Sequence, residues 1–171
     1  KSIVVTGTNG KSTTCKLIAH LLKKNKYGVL VGGNIGTPIL NLKIRKNIYV
    51  VIEASSFQLS HSKFICPDYA FLLNITNDHL DWHKNMNDYI NSKFKIFKLQ
   101  KRNQFAITKD KFKETFKKRK FSSKLIIPKF KDYKKIENKI KNLYLKSNIN
   151  YENMSYVYTF SKLLKISEKV F

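Results

Sequence analysis

The stretch "SIVVTGTNGKSTTCKLIAHLLKKN", residues 2–25, decides the fold. It opens with a β-branched run that reads as a buried strand and ends that run in glycine. It then carries Leu17, Ile18, Leu21 and Leu22, one face of a helix. Lys23, Lys24 and Lys26 cluster at the helix end, where cations complement the helix dipole. Between strand and helix lies Gly7-Thr8-Asn9-Gly10-Lys11-Ser12-Thr13. A glycine loop that joins a strand to a helix N-terminus is the setting in which backbone N–H groups cradle phosphate. The common phosphate loop has four residues between its first glycine and the Gly-Lys-Ser/Thr end. Here only Thr8 and Asn9 separate Gly7 from Gly10-Lys11-Ser12, and Val5 stands where the longer pattern has its first glycine. The loop therefore reads as a tighter version of the same device.

Outward from this unit, strand-like runs recur: "YGVLVGG" (27–33), "NIYVVIEAS" (47–55), "DYAFLLNIT" (68–76), "QFAIT" (104–108) and "KLIIP" (124–128). Helical signals alternate with them. "NIGTPILNL" (34–42) reads as a turn and a short helix with Pro38 in its first turn. "MNDYINSKFKIFKL" (86–99) spaces Tyr89, Ile90, Phe94 and Phe97 as a helix does, and "KDKFKETFKKRK" (109–120) reads as a basic helix. "YKKIENKIKNLYL" (133–145) is expected to form a hairpin turning at Asn138-Lys139, and "YENMSYVYTFSKLLKI" (151–166) an amphipathic helix. The expected fold is α/β: a mostly parallel sheet flanked by helices, a P-loop-type mononucleotide-binding domain over residues 1–171.

Composition narrows the function. The net charge of +23 raises the question of nucleic acid. Yet lysine dominates, and the arginines are only Arg45, Arg102 and Arg119, whereas base readout and bidentate phosphate recognition favour arginine. The lysines run along the whole chain, so they are expected on solvated faces, with no specific nucleic-acid partner. No apolar run reaches the ~18 residues of a membrane span. The chain opens directly in a strand without a signal peptide, which reads as a cytoplasmic protein and as a piece of a longer one. Cys15 and Cys66 form no metal-binding spacing and read as two buried thiols in a reducing compartment.

Polar residues gather where the strands end: Thr6–Ser12 after the first, Asn34 after the second, Glu53 with Ser55 and Ser56 after the third, and 74–81 after the fourth. In an open parallel sheet those ends face one crevice, where ligands bind. Taken singly, Glu53 reads as a surface carboxylate, His79 as a loop histidine and Asn34 as a turn former. Along one edge beside a phosphate loop they read as one site. Lys11 neutralises the terminal phosphates of a nucleotide there. The Ser12 hydroxyl and Glu53 offer hard oxygens to Mg²⁺, and His79 can serve a second ion.

The motifs "GTNGKST" (7–13), "GGNIGTP" (32–38), "EASSFQL" (53–59), "LNITNDHLDWH" (73–83) and "YINSKFKIF" (89–97) together resemble the Mur ligases, the amide-forming enzymes of peptidoglycan synthesis. The Asn-Ile-Gly and Ser-Ser-Phe-Gln-Leu blocks are most similar to the D-glutamate-adding branch. The resemblance implies the central ATPase domain of a three-domain enzyme, with an N-terminal UDP-binding domain and a C-terminal domain expected outside residues 1–171. It implies ATP and Mg²⁺ as cofactors, UDP-N-acetylmuramoyl-L-alanine and D-glutamate as substrates, and a monomer. Carried over, Gly7, Thr8, Asn9, Gly10, Lys11, Ser12 and Thr13 hold the phosphates. Ser12 and Glu53 serve one Mg²⁺, and His79 with Lys93, carried as a carbamate, the second. Asn34, Ser55 and Gln58 contact the muramoyl substrate. Asn153, with Asn150, matches an asparagine pair of which the second reads adenine, although Asn150 also suits a helix cap. From spacing alone Lys93 reads as a snorkelling surface lysine. Trp82 stands where the family commonly has arginine, and Ile149 where it has histidine. The alternatives are another Mur-type or folylpolyglutamate-type ligase, or a non-catalytic nucleotide-binding module.

Overall fold

A computed structural model of the protein describes residues 1–78, 81–169 and 171, apart from the Ile149 side chain. Six parallel strands form one sheet in the order β2-β3-β1-β4-β5-β6. These are β1 (Ser2–Thr6), β2 (Gly28–Gly33), β3 (Ile48–Glu53), β4 (Tyr69–Leu72), β5 (Phe105–Thr108) and β6 (Lys124–Ile126). β1 lies at the centre, paired with β3 on one side and β4 on the other. The segments that leave these three strands are therefore neighbours at the carboxyl edge.

Strand alternation divides the core between the two faces. Ile3 and Val5 of β1, Val51 and Phe71 point to one face, where α1 (Lys11–Lys24) contributes Cys15, Ile18 and Leu22. The last helix of the chain contributes Tyr156 and Phe160 to that face. Val4, Ala70 and Leu72 point to the other face. There α2 (Ser56–His61) contributes Leu59, α3 (Met86–Lys98) contributes Phe94 and Phe97, and α4 (Lys113–Lys118) contributes Phe116. Among the described residues no helix is long and apolar enough to cross a membrane.

Three sequence expectations change, and one helix was not foreseen. The segment expected as a hairpin carries α5 (Phe130–Glu137), followed by turns. Tyr133 and Ile136, three residues apart, both join the buried cluster with Met154 and Tyr158, as neighbours on one helix face do. Residues 56–61 form a helix, started by a capping box in which Ser55 and Gln58 reciprocate. The basic helix is shorter than expected, a 3₁₀ turn at Asp110–Phe112 leading into α4. Cys15 is buried as expected, and burial pushes its thiol pKa up. Cys66 is half-buried, with its thiol donating to the Leu99 carbonyl at 3.0 Å.

Candidate active site

The segment after β4 clamps the short loop. Thr8 N–H donates to the Asn74 carbonyl at 3.0 Å, and Asn9 N–H donates to Asn74 Oδ1 at 2.8 Å. Asn74 Nδ2 returns a bond to the Asn9 carbonyl at 3.1 Å. Thr8 Oγ1 accepts from Thr76 N–H at 3.0 Å and bonds the Tyr89 hydroxyl at 3.0 Å. The Thr8 side chain thus ties the loop to the segment after β4 and to α3. Gly10 then turns the chain into α1 at φ +83°. Among the described residues no side chain caps α1 and its first turn contains no acid, so the helix start supplies no side-chain acceptor for its own leading N–H groups. Lys11 and Ser12 are the first two residues of this helix.

Two amines converge on the loop. Lys11 Nζ donates to the Gly7 and Thr8 carbonyls at 3.0 and 2.7 Å. Lys93 Nζ, from α3, donates to the same Gly7 carbonyl at 2.9 Å and lies 4.6 Å from the centre of the Tyr89 ring. Lys93 is not the surface lysine that spacing alone suggested, since only 1% of it is exposed. Burial, helped by the charge of Lys11 and opposed by Asp78, pushes its pKa down to about 7.

Glu53 closes the other side of the cluster. It is buried at the end of β3, beside the end of β1. Its Oε2 accepts from Ser12 Oγ at 2.7 Å and its Oε1 from Asn34 Nδ2 at 3.2 Å. Gly33 makes the second contact possible. It adopts φ +107°, a side chain there would meet the Glu53 carbonyl at 2.3 Å, and Asn34 N–H donates to that carbonyl at 2.9 Å. Both side-chain partners of Glu53 are neutral, and among the described residues no ion pair involves it. A buried carboxylate with neutral partners is costly unless a cation compensates it. The Ser12 and Glu53 oxygens suit Mg²⁺, which takes hard ligands and few of them from protein. His79 lies outside the described residues.

The remaining expected residues divide. Ser55 and Gln58 are engaged with each other: Ser55 N–H donates to Gln58 Oε1 at 2.9 Å, and Gln58 N–H donates to Ser55 Oγ at 3.2 Å. They stand beside Glu53 at the start of α2. Asn153 belongs to α6 (Asn148–Leu163) and packs directly on the loop, where a side chain on Gly10 would meet its Oδ1 at 2.3 Å. That Oδ1 accepts from Thr14 Oγ1 at 3.3 Å, and Nδ2 donates to Asn150 Oδ1 at 3.2 Å. Asn150 does not cap α6, because Ser147 holds the cap position. Asn150 reaches back instead to the Tyr144 carbonyl at 3.0 Å. Thr13, in the first turn of α1, lines a recess of about 500 Å³ with Ser12, Lys16, His20 and Tyr144. Asn74 and Thr76 belong to the polar stretch 74–81 expected at this edge, whereas Tyr89 reads from sequence only as a position on the apolar face of a helix, and its hydroxyl contact with Thr8 has no local signal.

The fold and this cluster define a P-loop-type α/β nucleotide-binding domain with its polar residues at the carboxyl edge of the sheet. The chain belongs to the Mur ligase family: residues 5–169 match the Mur ligase middle domain. A UDP-N-acetylmuramoylalanine–D-glutamate ligase from Rickettsia bellii is 50% identical over 105 residues, 61% of this chain and 23% of that protein. One of the same name from Fervidobacterium nodosum is 37% identical over 166 residues, 96% of this chain and 39% of that protein. The chain thus spans about a quarter to two fifths of the length of these curated relatives. In fold it is similar to MurF from Thermotoga maritima in complex with ADP, with a TM-score of 0.72 and 19% identity over 98% of this chain and 46% of that one. MurF from Acinetobacter baumannii gives 0.73 and 18% over 99% and 44%. At such identities the likeness speaks for the fold alone.

Proposed function

We propose that residues 1–171 are the ATP-binding core of a ligase that joins D-glutamate to UDP-N-acetylmuramoyl-L-alanine in peptidoglycan synthesis. The carrying observation is the buried Glu53, bonded to Ser12 at the uncapped start of α1. This is the charge arrangement needed beside a metal-bound triphosphate. The D-glutamate-adding reading draws on the names of the relatives at 37–50% identity. Another Mur-type ligase is the second reading, because the family match is to the Mur ligase middle domain at large.

A carboxylate resists attack by an amine until one of its oxygens becomes a leaving group. In this reading the γ-phosphoryl group of ATP passes to the acceptor carboxylate, the amine attacks the acyl phosphate, and phosphate departs as the amide forms. Positioning and electrostatics supply most of such catalysis. Lys11 exchanges the Gly7 and Thr8 carbonyls for phosphate oxygens, and the N–H groups of the first turn of α1 face the same oxygens. Ser12 and Glu53 would hold Mg²⁺, which supplies Lewis-acid neutralisation of the triphosphate. Asn153 stands at the loop's flank as the adenine contact. Asn34 orients Glu53 and, with Ser55 and Gln58, lies on the acceptor side.

Lys93 is proposed to work as a carbamate. A buried amine with a lowered pKa is in part neutral, and a neutral amine adds carbon dioxide. The carbamate would offer two oxygens where His79 is proposed to hold a second ion.

The test is amide formation by the full-length enzyme with a panel of amino acids. Synthesis with D-glutamate alone supports this reading. Synthesis only with another amino acid moves the chain to a different branch, and ATP binding without any amide product leaves a non-catalytic module.

A further inference from the structure

One exposed aromatic at the carboxyl edge takes no part in the phosphate and carboxylate cluster. Trp82 follows the extension of β4, and 47% of it is exposed. A half-open apolar ring means little alone, but this one is held on several sides. Phe57 meets it edge-on at 4.7 Å, His83 at 4.5 Å and His61 at 5.9 Å. Phe57 and His61 both belong to α2, so the indole ties the segment after β4 to the helix after β3. β3 and β4 flank β1, whose own continuation is the phosphate loop. The contacts extend to that loop as well. His83 stacks on Phe57 at 5.8 Å and leans on Tyr89 at 5.1 Å, and the Tyr89 hydroxyl bonds Thr8. A continuous aromatic chain thus runs from the phosphate loop to an exposed indole.

We propose that the exposed face of Trp82 is the platform on which the pyranose ring of the acceptor substrate stacks. The proposal rests on the acceptor being a UDP-N-acetylmuramoyl amino acid. Its reacting carboxylate must lie at the phosphate loop. The ring nearest that carboxylate along the covalent chain is the hexose, whereas the uracil lies beyond the diphosphate. One face of a pyranose presents C–H bonds, which complement the negative face of an indole. The hydroxyl and acetamido groups at the ring's rim suit the polar side chains that α2 carries nearby, Ser60 and His61 beside the capping pair Ser55 and Gln58. An aromatic platform already fixed by its neighbours loses little freedom on binding. Trp82 is then a specificity-determining residue for the sugar portion of the acceptor, and arginine at this position would offer no comparable face.

Two measurements on the full-length enzyme test this. Trp82 is the only tryptophan of these 171 residues, and the difference in fluorescence between wild type and Trp82→Phe isolates its signal. Titration with UDP-N-acetylmuramoyl-L-alanine is expected to change that signal saturably, and UDP at the same concentrations to leave it unchanged. In steady-state assays Trp82→Ala is expected to raise the KM for the acceptor about tenfold, and Trp82→Phe less than about threefold. The KM for ATP should stay within about twofold in both. A response to UDP alone would place the uridine on the indole and overturn the proposal. So would the absence of any response, or an unchanged acceptor KM in Trp82→Ala while the wild type turns over; the ligase reading would survive both. A wild type that makes no amide from this acceptor overturns that reading and this one together. Should Trp82→Ala fail to fold, the fluorescence titration decides.

Discussion

Lys93 is the residue at which burial changes chemistry most. Its amine is enclosed by α3, the Tyr89 ring and the Gly7 carbonyl, and its pKa falls to about 7 from 10.5. Between those values the unfolded chain binds a proton that the folded chain does not, so stability rises with pH across that window. Below it both states are protonated and the full penalty of the buried charge remains. Lys93→Met removes this dependence. Denaturation at several pH values should find the variant's advantage over the wild type shrinking by about 1 kcal/mol per pH unit between pH 7 and 10. An advantage independent of pH would mean that the folded lysine keeps its ordinary pKa. Function gives a separate handle. In the full-length enzyme Lys93→Ala should lose most turnover and regain part of it in acetate, which supplies an anion in the vacated space. Lys93→Arg should stay inactive, because it keeps a positive charge and brings no oxygen. Near-full activity in Lys93→Arg would dismiss the carbamate.

At the scale of elements, the contact between the phosphate loop and α6 joins the first and last parts of the domain. Gly10 needs φ +83°, and its missing side chain is where Asn153 Oδ1 sits. Gly10→Ala therefore faces backbone strain and a collision, together about 2–4 kcal/mol. Thermal melting should register that loss, and Asn153→Gly in the same background should return only the collision's share. A neutral Gly10→Ala would mean that neither the left-handed backbone nor the contact with α6 holds at this position. These elements differ in how much their residues announced them. The β1–loop–α1 unit was legible because a β-branched run, glycines and a helical apolar stripe agree with one another. The sheet was legible from its repeated β-branched runs. α5 was not, because Tyr133 and Ile136 alone mark its buried face amid lysines, and a pattern that sparse fits a strand as easily. The burial of Lys93 was equally hidden, since nothing local distinguishes it from Lys95 or Lys98 on the same helix. Long-range packing decides both. The short helix α2 had a local signature, Ser55-x-x-Gln58, that pattern reading by apolar periodicity passes over.

For the whole molecule, the central claim is that the carboxyl edge of the sheet is a Mg-nucleotide site that drives amide formation. Residues 1–171 alone are expected to bind Mg-ATP weakly and to form no amide, because the relatives are far longer than this domain. Calorimetry and a product assay check this, and amide synthesis by these residues alone would contradict it. Lys11→Ala in the full-length enzyme should lower turnover by at least about a hundredfold at an unchanged melting temperature. The most direct measurement is the Mg²⁺ dependence of amide synthesis by full-length Glu53→Gln. The substitution keeps the shape of the side chain and removes the charge a hard cation needs. Half-maximal activity is expected to move to at least about tenfold higher Mg²⁺ with the fold intact. A Mg²⁺ curve that overlays the wild type would contradict it and remove Glu53 from the metal site.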